Sequence, residues 1–212
     1  MVKVTNKKSI TLITNTRILN QSKTINLVKK ILPCGLQRIQ IREKSIPEKV
    51  LEKFVYDLRE LTLGKCELIL NGPIELVNKY QCDGVHMPDK GMSEEQMGIK
   101  YSSDLIIGRS IHENYKKGNK YEDFYSYVHL GPTFRTETHP TSSPLSRDKI
   151  REISGIAGLS VILVGGINTY NLDNLINYKI SGIAVMRDLL LSKDPESTYI
   201  NLEQKLNGTK HR

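Results

Sequence analysis

Tryptophan is absent from this 212-residue chain, phenylalanine occurs 3 times, and aromatic residues make up only 6%. With so few flat side chains, and with no helix-turn-helix or zinc-finger pattern, the chain lacks the stacking platforms and reading helices of nucleic-acid binders. Cysteine is scarce as well. Cys34, Cys66 and Cys82 are odd in number, widely spaced and without a CxxC pair. That argues against a disulfide framework or a zinc ribbon and for free thiols in a reducing compartment. No apolar run reaches the length of a membrane span, and the opening MVKVTNKKSITLIT is too briefly apolar for a secretory signal. The expectation is a cytoplasmic protein with no membrane partner. Also missing is a GxGxxG after the first apolar run, which weighs against a doubly wound dinucleotide-binding sheet.

What is there is 38% hydrophobic, enough at this length to bury one substantial core. One domain over residues 1–212, with its core from about 10 to 207, is therefore expected. The formal net charge of +8 is spread along the chain rather than gathered in one run. Such a surface suits anionic small molecules and does not call for nucleic acid.

Short β-rich runs alternate with helical patterns throughout. The runs are ITLIT (10–14), LQRIQIRE (36–43), CELILNG (66–72), DGVHMP (83–88), DLIIGRSI (104–111), YSYVHLG (125–131), VILVGG (161–166) and GIAVMRDLL (182–190). Between them lie helical patterns such as PEKVLEKFVYDLRELTL, SEEQMGIKYS, SRDKIREISG, NLDNLINYK and PESTYINLEQKL, although a Lys-rich polar connection follows the fifth run. Pro47 and Pro73 suit first helical turns, and Ser93 followed by Glu94, Glu95 and Gln96 reads as a cap. Eight strand–helix units are the count of a closed parallel (β/α)8 TIM barrel, the predicted fold class.

In that fold the site lies at the carboxyl ends of the strands, with phosphate commonly held after strands seven and eight. Gly165 and Gly166 end the seventh run; Met186 and Arg187 end the eighth. Glycines that expose backbone N–H groups beside a helix start make an anion cradle, so these four are the predicted phosphate grip; a tight turn is the plainer reading. Alternation along QIREK puts Gln40, Arg42 and Lys44 on one side, toward the mouth, where two cations suit a diphosphate. Asn71, His86 and Ser110 end the third, fourth and fifth runs, and each alone could be an ordinary turn residue. After the sixth comes GPTFRTETHPTSS, a polar loop that brings Arg135, Thr136, Thr138 and His139. Alternation places His129 on the inward face with Gly131, either as an acid–base group or as a packed core histidine.

The ordered series QIREK, Asn71, GVH, IGRSIH, GPTFRTET, VGGIN and GIAVM resembles the thiamine phosphate synthase family, including its TenI-type thiazole tautomerase branch, from about Leu12 to Leu189. The family fold is the same barrel. The resemblance implies small phosphorylated thiazole and pyrimidine intermediates as partners, and the family commonly forms dimers or larger symmetric assemblies, so a homo-oligomer is compatible with it. For the synthase reaction it implies Mg²⁺ and basic residues stabilising a leaving diphosphate. Gln40, Arg42 and Lys44 then match the diphosphate series, with Asn71 and Ser110 nearby. Thr136 and Thr138 match the loop that contacts substrate, and Gly166, Met186 and Arg187 fall in the thiazole-phosphate region.

The departures fall on the reaction centre. Gly72 stands where the synthase carries a metal-binding Asp, the second metal carboxylate would align near Gly91 with Asp89 close by, and His139 replaces a Lys. One carboxylate without a partner is a poor Mg²⁺ site. NGP, the MP after GVH, and IGRSIH look like the tautomerase branch, which needs phosphate binding and a proton shuttle but no metal. Its histidine after the sixth-strand glycine is Pro132 here, leaving His129 and His86 as the candidate acid–base residues. The sequence therefore favours a TenI-type thiazole tautomerase-like isomerase with no cofactor. A thiamine phosphate synthase using Mg²⁺ is the alternative, and a non-catalytic binder of thiamine intermediates the third reading.

Overall fold

The β-branched runs become eight short strands in a computed structural model that describes residues 7–89, 105–115, 125–137 and 140–208. They are β1 (Ser9–Ile13), β2 (Arg38–Ile41), β3 (Glu67–Leu70), β4 (Gly84–Met87), β5 (Ile106–Ile111), β6 (Tyr127–Leu130), β7 (Val161–Val164) and β8 (Gly182–Val185). Each pairs in parallel with the next and β8 closes on β1, with Ser9 beside Gly182, so the sheet has no free edge. The fold is a (β/α)8 TIM barrel, as the alternation of strand and helix patterns predicts.

Around the barrel run α1 (Gln21–Ile31), α2 (Glu48–Thr62), α3 (Ile74–Lys79), α4 (Arg147–Ser154), α5 (Arg187–Leu190) and α6 (Pro195–Asn207). Their starts follow from local chemistry. Asn20 caps α1 by accepting from the N–H of Lys23, Ser146 caps α4 through Lys149, and Asp194 caps α6 through Ser197. Pro47 and Pro73 sit one residue earlier than predicted, as the capping residues of α2 and α3. Along α2, Leu51, Phe54, Val55, Leu58 and Thr62 fall at helical spacing and are buried against the strands. Ser93 and the helix pattern after it lie outside the described residues.

Three predicted elements come out differently. NLDNLINYK reads as a helix but holds only a 3₁₀ turn, Leu172–Asn174, because Asn168 Oδ1 accepts from the N–H groups of both Tyr170 and Asn171 and so offers the backbone an alternative to helix. GIAVMRDLL is not one strand: pairing stops at Val185, and α5 starts at Arg187. LQRIQIRE pairs only from Arg38 to Ile41. Beyond it Glu43 folds back, accepting from Thr14 Oγ1 at 2.6 Å and from the N–H and hydroxyl of Thr16 at 2.9 and 2.6 Å, which pulls the chain off the sheet.

The apolar core is divided in two. Most of it, including Ile10, Leu12, Val28, Ile39, Phe54, Leu68 and Leu163, fills the layer between strands and helices. The interior of the barrel holds a much smaller cluster of Ile13, Tyr127, Ile162 and Ala184, and shares its space with the buried polar groups Thr11, Gln40, His86 and His129. Cys66 and Cys82 belong to the outer layer as free thiols, both pushed up to about 12 by burial. Among the described residues no helix is long and apolar enough to cross a membrane.

Candidate active site at the barrel mouth

The polar interior opens at the carboxyl ends of the strands into a cavity of about 1070 Å³. Its lining brings together Gln40, Arg42, Asn71, His86, Ser110, His129, Thr136, Gly165, Gly166, Met186 and Arg187, which the sequence scatters over 148 positions from Gln40 to Arg187. Lys44 is not among them. It is exposed beyond β2, and its ammonium is held below its usual pKa first by the charge of Arg42 and then by burial. Alternation does not govern it, since the strand has already ended. Thr138 and His139 lie outside the described residues. A second cavity of about 570 Å³ on the outer surface, bordered by Arg147, Arg151, Tyr178 and Lys179, lies away from the strand ends where this fold does its chemistry.

One wall is built by close approach of β6 and β7. Gly165 and Gly166 have φ of +102° and +67°, which only glycine adopts freely, and a side chain on Gly166 would run into the carbonyl of Arg135. The loop after β6 is tied onto this turn: Thr133 N–H donates to the carbonyl of Val164 at 2.9 Å and Phe134 N–H to that of Gly165 at 3.0 Å. On the far side the Asn171 amide donates to the carbonyl of Gly166 at 2.8 Å, and Asp188 accepts from the N–H of Thr169 at 2.9 Å. Burial raises the Asp188 carboxyl above its usual range.

Charge gathers at the rim and leaves the floor. The guanidiniums of Arg42, Arg135 and Arg187 line the mouth, with Glu113, Glu137 and Asp188. Glu137 pairs with Arg187 at 3.0 Å, while Arg187 Nε stays buried with no partner among the described residues. Arg42 is half-buried, and burial lowers its pKa; its side chain makes no ion pair among the described residues.

Deeper in, His86 Nδ1 lies 3.1 Å from the Tyr127 hydroxyl and Nε2 lies 3.0 Å from Ser110 Oγ. The His129 ring stands 4.4 Å from that of His86 and 5.2 Å from that of Tyr127. Gly108 makes room for the group, because a side chain there would collide with the Tyr127 ring and with His86 Nδ1. Both imidazoles are neutral. Burial, then the charges of Arg38 and Arg42, brings His86 down to about 3; burial, then His86 and Arg38, holds His129 well below its ordinary value. Beneath them Arg38 stacks on Tyr127 at 4.3 Å and pairs with Glu67, closing the bottom of the barrel.

Sequence reasoning gave no role to His112, whose Nδ1 lies 2.7 Å from the carbonyl of Gly131, or to Tyr127. Alternation from His129 back to Tyr127 was the available signal for the second. Asn168, Asn171 and Asp188, which hold the glycine turn, were likewise unassigned; their signal was the run of Asn and Asp beside two glycines.

A divalent metal finds little here. Among the described residues no three His, Cys, Asp or Glu side chains stand close enough to hold one. Gly72 offers no ligand, and Asp89 is exposed, outside the cavity lining, with its carbonyl accepting from Arg109 at 2.7 Å. The position near Gly91 lies outside the described residues. The donors described do not fit Mg²⁺.

The thiamine monophosphate synthase family matches residues 10–189. Thiamine-phosphate synthases of Prochlorococcus marinus and Gloeobacter violaceus are each 27% identical over 184 residues, 86% of this chain but only 52% and 54% of theirs, so the chain spans about half their length. The enzyme of the same name from a Psychrobacter species is 25% identical over 192 residues, covering 89% of this chain and 90% of the relative. Among solved structures, thiamine phosphate pyrophosphorylase from Pyrococcus furiosus superposes with a TM-score of 0.76 over 95% of this chain and 96% of its own, at 21% identity, a likeness of fold.

Proposed function

The chain belongs to the thiamine monophosphate synthase family, and from that membership we propose that it joins a pyrimidine diphosphate to a thiazole phosphate at the barrel mouth, releasing pyrophosphate. The observation that carries this reading is the division of the cavity into a charged rim and a neutral floor. Both substrates have that form, an uncharged ring bearing phosphate.

The thiazole nitrogen supplies the electron pair for the new bond to the pyrimidine methylene carbon, while the bond from that carbon to the diphosphate oxygen breaks and its electrons leave with pyrophosphate. Positive charge therefore grows on the pyrimidine as negative charge grows on the leaving group. Arg42, which lines the cavity with Gln40 and Asn71, supplies the charge proposed to take the departing diphosphate, with Lys44 adding positive potential from outside. The thiazole phosphate is assigned in this proposal to Gly165, Gly166 and Arg187, which line the same cavity. Neutral His86 and His129 suit the floor, because an imidazolium there would oppose the charge developing on the ring.

A tautomerase role keeps one specific support, the pair of neutral imidazoles, which suit proton transfer. Against it, Pro132 lines the cavity where that branch carries its histidine, and the curated relatives compared above bear the synthase name. The deciding experiment supplies purified protein with pyrimidine diphosphate and aromatic thiazole phosphate, with and without Mg²⁺. Thiamine phosphate and pyrophosphate are expected in equal amounts. No product in either condition overturns the proposal, and conversion of the non-aromatic thiazole carboxylate phosphate by the same preparation would establish the tautomerase instead.

A further inference from the structure

Polar atoms buried without a partner are costly, and a ligand that satisfies them is selected strongly over one that does not. Two such atoms belong to residues lining the cavity at its floor, His129 Nε2 and Gln40 Nε2. The nearby His86 is different: both its nitrogens are engaged, by Tyr127 and Ser110. His129 lies inward on β6 between Ser110 of β5 and Ile162 of β7, only 3% exposed. It precedes Gly131 by two residues, so it lies about 7 Å below the rim at the usual rise per residue of a strand. A ligand whose phosphate rests on the rim places its ring at this depth.

We infer that His129 is a specificity-determining residue, whose Nε2 accepts a hydrogen bond from the exocyclic amine of the pyrimidine ring. This rests on the condensation proposed above, whose thiamine product contains an aminopyrimidine. The neighbouring Gln40 amide carries two N–H groups, and although it also approaches the Tyr127 hydroxyl it has one to offer to a ring nitrogen, so the two residues present an acceptor and a donor to the donor and acceptor of an amine beside a ring nitrogen. A neutral imidazole can accept; a protonated one cannot, and the floor keeps His129 neutral. The tautomer that accepts at Nε2 carries its proton on Nδ1.

The test measures calorimetric affinity for aminopyrimidine diphosphate and for its analogue with oxygen in place of the amine. Wild type is expected to prefer the amine by about tenfold or more. His129→Leu and His129→Phe, two apolar replacements of different shape, should bring the two ligands to within about twofold, and His129→Gln, whose carbonyl accepts, should recover part of the preference. Affinity for inorganic pyrophosphate identifies the variants that keep the folded rim. An unchanged preference in an apolar variant that binds pyrophosphate overturns the inference and leaves the condensation standing. Wild type that binds pyrophosphate but not aminopyrimidine diphosphate overturns both.

Discussion

The Glu137 carboxylate lies 3.0 Å from Nη1 of Arg187, joining the loop after β6 to the end of β8 across the mouth of the barrel. It occupies the guanidinium that would otherwise meet a phosphate. Both side chains are substantially exposed, so the pair is worth under about 1 kcal/mol. Glu137→Gln should accordingly tighten thiazole phosphate binding by roughly two- to fivefold, most at low salt. Titration at two ionic strengths checks this, and weaker binding in the variant would mean that Glu137 positions Arg187 rather than competing for it.

Arg42 is half-buried at the rim and has no ion pair among the described residues. Removing a charged hydrogen-bond donor costs about 1.5–3 kcal/mol, so Arg42→Ala should weaken pyrimidine diphosphate binding by roughly 10- to 150-fold. Thiazole phosphate affinity should hardly move. Calorimetry on both ligands distinguishes these outcomes, and an unchanged diphosphate affinity removes Arg42 from the site.

At Gly166 the φ of +67° and the nearby Arg135 carbonyl both oppose a side chain. Gly166→Ala should destabilise the fold by about 1–3 kcal/mol, at about 2–4 °C of Tm per kcal/mol for a chain of this size, and should weaken phosphate binding as the turn shifts. Thermal unfolding together with phosphate titration tests the claim. A variant with wild-type Tm would show that the turn relaxes without cost.

The buried imidazoles set a pH dependence whose sign follows from their direction of shift. His86 is lowered to about 3 and His129 is lowered well below its ordinary value. An unfolded histidine binds its proton near pH 6.5, so below that pH the unfolded chain holds protons that the folded chain refuses. Their contribution to stability is full above pH 6.5 and is lost as pH falls from there, toward 3 for His86. Urea midpoints at pH 7 and pH 5 should differ in wild type and differ less in His129→Gln. Equal midpoints in wild type would show that both rings protonate within the fold.

The barrel was legible because most strands carry a compact apolar run, and a glycine or a polar residue follows the end of most of them. VILVGGIN carries both signals, and the structure ends β7 at Val164 before the two left-handed glycines. Where side chains compete locally with the backbone, periodicity misleads: Asn168 unmakes the helix predicted over NLDNLINYK, and Glu43 ends β2 early enough to leave Lys44 outside the cavity. The Glu137 and Arg187 pair had no signal at all, since Glu137 lies on the loop after β6 and Arg187 opens α5, and only the folded barrel brings them together. His129 was identifiable as inward by alternation, but not as a residue with an unpartnered Nε2, which depends on what β4 and β5 give to His86.

In the proposed condensation one mouth receives both phosphorylated rings, and thiamine phosphate, which contains both, is the probe for it. Calorimetric titration with thiamine phosphate should give one site per chain, and its binding should be suppressed by thiazole phosphate and by pyrimidine diphosphate alike. Binding that either substrate leaves untouched would contradict a shared site at the end of this barrel.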